Sequence, residues 1–185
     1  MRLILLTVVV SLAVGFLAGG SLRAFPTVRT HLWWLALVGV AMQFVTGGGA
    51  LEISLLLGSF VVLLVFVAAN LRAPGFAFVM VGLLLNAAVI TVNQGMPVSR
   101  GALVDSGQAA TLPELAGNGD GQKHFLARDD TPLLPLGDVI PLGSPVRQAI
   151  SLGDILVHLG IGWFIVMAMK PGEPSPALEP RVAEI

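Results

Sequence analysis

The chain lacks cysteine and has few charged residues. Without cysteine it cannot form disulfides, thiolate metal sites or a cysteine nucleophile. Charged residues make up 11% of the 185 positions, whereas a soluble domain carries roughly 25%. The net charge is −1, so no basic field attracts nucleic acid, and we expect no nucleic-acid partner. Hydrophobic residues account for 55% of the chain, which is typical of a protein embedded in lipid.

The apolar residues fall into five long stretches. They lie at about 3–19, 31–46, 51–69, 76–92 and 150–169. A transmembrane helix needs about 20 mostly apolar residues, and helices satisfy their backbone hydrogen bonds inside hydrocarbon. The sequence therefore predicts an all-α fold: an integral membrane bundle of five transmembrane helices within residues 1–170. We expect the first stretch to be retained as a helix rather than removed as a signal peptide.

One long polar segment interrupts this pattern before the last apolar stretch. Residues 98–149 hold nearly half of the charged side chains. Apolar residues alternate with prolines at its C-terminal end, which predicts a loop that is partly ordered. The tail at 171–185 contains four prolines and is expected to be disordered.

Basic residues near the ends of the stretches predict the orientation. With five spans, one side carries Arg23, Arg29, Arg72, Lys170 and Arg181. Cytoplasmic loops are enriched in lysine and arginine. We therefore expect the C-terminus in the cytoplasm, and the N-terminus and the 98–149 loop on the extracytoplasmic side.

Two ionisable residues belong to the last apolar stretch. Asp154 and His158 are four residues apart, on one helix face, and ionisable groups in a span suggest function. Ser151 and Asp154 have the spacing of a capping box, a structural role for the carboxylate. His158 is either a neutral, hydrogen-bonded imidazole or part of a proton relay. Asn86 in the fourth stretch suits an interhelical hydrogen bond.

The polar loop contributes two further candidates, Asp138 and His124. Asp138 lies beside glycine and near proline, so one interpretation is an ordinary turn residue. The alternative pairs Asp138 with Asp154 at the outer membrane boundary. Two close carboxylates cannot both ionise easily, so one keeps a proton while the other activates water. A third interpretation makes His124, Asp129 and Asp138 metal ligands, on irregular spacing.

Three segments carry a family resemblance. They are Asn93-Gln94-Gly95-Met96-Pro97, Lys123-His124 leading to Leu136-Gly137-Asp138-Val139-Ile140-Pro141, and Ser151-Leu152-Gly153-Asp154-Ile155-Leu156 with Gly160. They resemble a family of small bacterial membrane proteins named as a domain of unknown function, number 5317. The resemblance implies a multi-helix protein of the bacterial inner membrane and brings no activity with it.

A shorter region resembles lipoprotein signal peptidase. Gly137-Asp138-Val139 and Leu152-Gly153-Asp154 are similar to the two segments that carry that family's catalytic aspartates. The resemblance implies catalytic roles for Asp138 and Asp154 alone. The chain departs from that family in lacking its Gly-Asn-Leu-x-Asp-Arg segment, in having five apolar stretches rather than four, and in its long loop.

The leading functional hypothesis is an aspartate-dependent membrane hydrolase acting at the outer leaflet without metal or cofactor. Asp138 and Asp154 are its catalytic candidates, with His158 and His124 as lesser ones. Its substrate would be a lipid-linked molecule or a membrane peptide. One alternative is a non-catalytic subunit of a larger membrane complex, with other membrane proteins as partners besides the bilayer. A second is a proton-coupled transporter or flippase.

Overall fold

The computed structural model describes residues 2–27, 30–45, 47, 49–117 and 122–170, so the predicted tail lies outside the described residues. These residues are mostly helical. The α-helices are α1 (Arg2–Leu17), α2 (Trp33–Gln43), α3 (Gly49–Ala69), α4 (Phe76–Asn93), α5 (Arg100–Asp105), α6 (Leu112–Gly117) and α7 (Leu152–Ala168). Short 3-10 turns lie at Leu22–Thr27, Ala109–Thr111 and Leu134–Leu136.

Two of the described helices, α3 and α4, are long and apolar enough to cross a membrane, with 21 and 18 residues. Helices α1, α2 and α7 are also apolar but have 16, 11 and 17 residues. At 1.5 Å per residue, α2 extends about 16 Å, roughly half of a 30 Å hydrocarbon core. Helix α2 is thus shorter than the apolar stretch at 31–46. Leu32 adopts a left-handed conformation with φ 55°, so the helix begins only after it.

The five long helices pack in the order α2, α3, α4, α7, α1. Helix α3 is antiparallel to both α2 and α4. The side chain of Gln43, at the end of α2, donates a 3.1 Å hydrogen bond to Ser59 in α3. The rings of Phe66, near the end of α3, and Phe76, at the start of α4, lie 5.5 Å apart. Helix α1 runs parallel to α7, because Ser11 faces Gly162 and Gly15 faces Met169. One end of the bundle therefore collects the N-termini of α1, α3 and α7 and the C-termini of α2 and α4.

Glycines allow the central pair, α4 and α7, to approach backbone to backbone. A Cβ placed on Gly82 would lie 2.4 Å from the carbonyl oxygen of Gly153. A Cβ on Gly160 would lie 2.5 Å from the carbonyl oxygen of Gly75. Small residues at such a crossing are the usual means of close helix packing in membranes. They also fix the register between Asn86 on α4 and the first turn of α7.

The segment before α7 is a folded unit, which we call the cap (residues 96–117 and 122–150). Its strands are β1 (Met96–Val98), β2 (His124–Leu126), β3 (Ile140–Leu142) and β4 (Gln148–Ile150). Strand β1 pairs in parallel with β2, and β3 pairs antiparallel with β4. The cap has its own core, formed by Val98, Ala102, Leu103 and Ala149 with Leu112, Leu115 and Leu126. The described residues are thus mostly helical, as predicted, and two of the five predicted transmembrane helices are long enough to cross a membrane. The all-α prediction did not include the four strands of the cap, each three residues long.

Lys123 attaches the cap to the bundle. Its ammonium group donates hydrogen bonds to the carbonyl oxygens of Gln43, at 2.7 Å, and Val45. It also lies 3.4 Å from a carboxylate oxygen of Glu52, in the first turn of α3. Both side chains of this ion pair are largely buried. A cation at the C-terminus of α2 also suits the helix dipole.

We expect Lys123→Met to loosen the cap and to lower the free energy of unfolding by about 2–3 kcal/mol, the value of a hydrogen bond to a charged group. Hydrogen exchange should accelerate in β2 and at the C-terminal end of α2, with little change in α7. The control is Arg128→Met, which removes an exposed positive charge from the same cap. Equal effects of the two substitutions would contradict a specific role for Lys123.

Candidate functional site

The backbone of the cap holds Asp138 against the end of α4. Asp138 forms a parallel bridge with Val98, in the strand that follows α4. Its N–H donates to the carbonyl of Pro97 at 2.9 Å, and its carbonyl accepts from Ser99 at 3.1 Å. Gly137 permits this approach, because a Cβ there would lie 2.6 Å from the Pro97 oxygen. The main chain on both sides of Asp138 is therefore fixed.

The Asp138 side chain is buried with only 9% of its surface exposed. Its Oδ1 atom is buried and has no hydrogen-bond partner among the described residues. Its Oδ2 atom lies 3.9 Å from Nε2 of His124. A turn residue would use its side chain to accept a local backbone hydrogen bond, and Oδ1 does not do so. A buried carboxyl oxygen left unpaired is costly, which favours a functional over a structural explanation.

Burial raises the pKa of Asp138 to about 8, and the negative charge of Asp154 adds to this rise. Desolvation disfavours the charged form of a carboxyl group, and a second carboxylate does the same. Asp138 is therefore mostly protonated at neutral pH. A protonated carboxylic acid can donate both a hydrogen bond and a proton.

His124, in β2, lies beside this acid because its strand pairs with β1. Half of its side-chain surface, 53%, is exposed, yet enough protein surrounds the ring that desolvation lowers its pKa. Asp154 and Glu52 oppose this change, while Lys123 adds to it. The imidazole is therefore neutral at neutral pH. A neutral imidazole can accept a proton, so His124 and Asp138 are chemically complementary.

Both carboxylate oxygens of Asp154 accept hydrogen bonds. The predicted capping box is confirmed: the Ser151 hydroxyl accepts from the Asp154 N–H at 2.9 Å, and Asp154 Oδ2 accepts from the Ser151 N–H at 3.1 Å. The predicted interhelical bond of Asn86 is also confirmed, since its amide donates to Asp154 Oδ1 at 2.8 Å. The Ser151 hydroxyl in turn donates to Asn86 Oδ1 at 2.9 Å. This network locks the start of α7 onto α4.

Three of the four catalytic candidates from the sequence thus lie near one another, and the fourth lies apart. Asp138 and His124 face each other, and Asp154 lies close enough for its charge to affect both. His158 lies elsewhere: its Nδ1 is 2.7 Å from the main-chain oxygen of Asp154, and its ring borders an apolar groove between α1 and α7. Asp129 does not join His124 and Asp138, since the described residues contain no group of three metal-ligand side chains.

Asp138 and His124 line an open cavity of about 740 Å³, whose wall consists of cap residues and Arg2. Sequence reasoning missed the other polar residues of its wall, which are Arg2, Gln108, Thr111, Glu114, Arg147 and Gln148. Gln108 is held in place because its side-chain oxygen accepts from the Ala149 N–H at 3.0 Å. The arginines do have a signal in the sequence. Arg2 and Arg147 each lie within three residues before an apolar stretch, and both stretches are predicted to start on the extracytoplasmic side.

The comparisons with known proteins fit these findings. The model of a family of unknown function, DUF5317, matches residues 27–166. An uncharacterized protein of Thermotoga maritima is 35% identical over 116 residues, which cover 61% of this chain and 62% of that relative. The chain thus spans less than two thirds of the relative's length. No solved structure matches. Because the family model covers most of the sequence, including the cap and both Asp138 and Asp154, the chain belongs to the DUF5317 family.

Proposed function

We propose that the chain is a multi-pass protein of the bacterial inner membrane in which α1, α2 and α7 flank α3 and α4 within the bilayer. Large apolar side chains cover the outward faces of α1 and α2, among them Leu5, Leu17, Leu37 and Trp33. A soluble monomer rarely exposes so large an apolar surface. The lipid bilayer would cover it, with α2 reaching only part of the way across.

The proposed orientation has the cap outside and the C-terminus in the cytoplasm. Arg23, Arg72 and Lys170 lie at the bundle end opposite the cap. Positive residues favour the cytoplasmic side. Residues 98–149, by contrast, carry four basic and six acidic residues. This orientation puts the Asp138 cavity at the outer leaflet.

We further propose that the protein is an acid–base hydrolase whose substrate is embedded in that leaflet. One observation carries the proposal: a buried acid with an unpartnered oxygen faces a histidine on the wall of an open cavity. Neutral pH leaves the acid protonated and the histidine neutral, which is the complementary pair that hydrolysis needs.

The chemistry then requires one water molecule. Its oxygen attacks the carbonyl or phosphoryl centre of the substrate as His124 accepts its proton. The bond to the leaving group breaks, and Asp138 donates its proton to that group. Proton transfer from His124 back to Asp138 restores the starting state. Burial keeps the proton on Asp138, and the negative charge of Asp154 adds to this effect. Asp154 is not the base in this mechanism, because both of its carboxylate oxygens accept hydrogen bonds.

The test is product formation by the full chain in vesicles made from bacterial lipid extract, with membrane peptides added, followed by mass spectrometry. We expect Asp138→Asn and His124→Ala each to reduce the rate by roughly 10²–10⁴-fold, as for general acids and bases. The control Asp129→Asn, an exposed cap carboxylate, should leave the rate unchanged.

The rate should also fall above about pH 8, as Asp138 loses its proton, and below the lowered pKa of His124. Product formation that survives Asp138→Asn would refute the mechanism. If the wild-type chain yields no product but purifies with a stoichiometric membrane partner, a non-catalytic subunit is the better explanation.

A further inference from the structure

The cavity lined by Asp138 and His124 adjoins an apolar groove. The groove has a volume of about 550 Å³ and lies between α1 and α7, with Leu6, Val10 and Leu159 on its walls. At one end the groove reaches the cap, where Leu142 and Ile150 line it. A groove of this kind, open to the outer face of the bundle, has room for a hydrocarbon chain.

Adjacent residues line the two spaces at two independent places. Arg2 borders the cavity and Leu3 the groove; Ala149 borders the cavity and Ile150 the groove. A single extended molecule can therefore have its polar end in the cavity and its apolar end in the groove. The cavity wall combines charged, polar and apolar residues, whereas the groove wall is almost entirely apolar, so the two spaces together suit an amphipathic molecule.

The charges in the cavity indicate the polar end of that molecule. Arg2 and Arg147 line it, and neither forms an ion pair with any residue that the structure describes. Glu114 and Asp138 are the acidic residues on the same wall, and Asp138 keeps its proton. Two guanidinium groups against one carboxylate leave a positive surplus. Arginine binds phosphate oxygens in a bidentate manner, with charge-assisted hydrogen bonds.

We propose that the cavity and groove together bind one anionic lipid. Arg2 and Arg147 hold its phosphate group beside Asp138 and His124, and its hydrocarbon chain lies between α1 and α7. The proposal that this lipid is the substrate rests on the proposed hydrolase activity, whereas the proposal that the lipid binds here does not. It also assigns a place to His158, whose ring borders the chain-binding groove.

The binding test uses the full chain in detergent micelles and a spin-labelled phosphatidic acid, compared with a phosphatidylcholine that carries the same chains and label. We expect the wild-type protein to bind the anionic lipid at least roughly 10-fold more tightly. Arg147→Gln and Arg2→Gln should each remove most of this preference. The control Arg128→Gln changes a cap arginine that lines a different pocket and should have no effect.

A second arm separates the headgroup from the chain. Leu159→Trp, which narrows the groove, should weaken phosphatidic acid binding roughly 10-fold while leaving binding of soluble glycerol phosphate unchanged. If Leu159→Trp has no effect on the lipid, or if the two lipids bind equally well to the wild-type protein, the proposal is wrong. If glycerol phosphate binds as tightly as the lipid, the ligand is a soluble phosphate and the groove is not part of the site.

The two proposals fail in different ways. Asp138→Asn should still bind phosphatidic acid, because it retains both arginines, while forming no product. Lipid binding without any turnover by the wild-type chain would refute the hydrolase and leave the lipid site intact. Turnover without a headgroup preference would refute the lipid site alone.

Discussion

At pH 8 the Asp138→Asn protein should be more stable than the wild-type protein, and at pH 4 the two should be nearly equal. In the folded chain the pKa of Asp138 is raised from 3.8 to about 8. Between these values the folded state binds a proton that the unfolded state has released. The wild-type chain therefore loses stability as pH rises through this window, by on the order of 5 kcal/mol in total. Asparagine stays neutral and avoids that loss.

The measurement is thermal unfolding in detergent at a series of pH values. The wild-type midpoint should fall between pH 4 and 8, and the Asp138→Asn midpoint should fall much less. Asp129→Asn removes an exposed carboxylate from the same cap and should follow the wild-type curve. If Asp138→Asn has the wild-type pH dependence, Asp138 is ionised in the folded state and cannot be the acid of the proposed mechanism.

The second cause of the raised pKa can be examined separately. Asp154→Asn removes the charge that contributes to the rise, so the pKa of Asp138 should fall part of the way. Desolvation is the larger cause and remains. An infrared titration of the protonated carboxyl band would follow this pKa directly. When a functional group is held in an environment that destabilises the fold, its substitution is expected to lower activity and to raise stability.

Local patterns in the sequence predicted local structure well. The helices α3 and α4 begin and end within two residues of the predicted stretches, because an unbroken apolar run and its glycine and proline boundaries are properties of neighbouring residues. The capping box at Ser151 and Asp154 is equally local. The exception is α2, where a left-handed residue inside the apolar stretch delays the helix.

Features that join distant segments were not predictable in the same way. Strand β1 pairs with β2 across 28 positions, from Met96 to His124, and three-residue strands have too few residues to show an alternating pattern. The partnership of His124 with Asp138 depends on this pairing. The arginines of the cavity required the helix order as well, since Arg2 reaches the cap only because α1 packs beside α7.

The separation of Asp154 from His158 shows a further limit of sequence reasoning. Both lie on α7 four residues apart, as predicted, yet α4 faces one and α1 borders the other. A helix with neighbours on two sides directs adjacent positions to different environments. Two residues on the same face of a helix therefore need not belong to the same site.

The α4–α7 crossing yields the second large prediction, the destabilising effect of Gly160→Ala. The added Cβ would lie 2.5 Å from the carbonyl oxygen of Gly75 and 2.9 Å from the backbone nitrogen of Val79. These are backbone atoms, and Gly75 has a φ of 83°, so the overlap can be relieved only by moving α7 away from α4. We expect a loss of about 3 kcal/mol, the upper range for overpacking, despite the gain of about 1 kcal/mol in helix propensity.

Gly162→Ala is the matched control, two residues further along the same helix. There the nearest atom is the hydroxyl oxygen of Ser11, at 2.8 Å, which can rotate away. Thermal unfolding of both variants in detergent should therefore show a large decrease only for Gly160→Ala. Because the same crossing aligns Asn86 with Asp154, Gly160→Ala should also lower the pKa of Asp138, as displacement of α7 carries the Asp154 charge away from it. Equal stability of the two variants would mean that side chains, and not the glycine contact, set the spacing of α4 and α7.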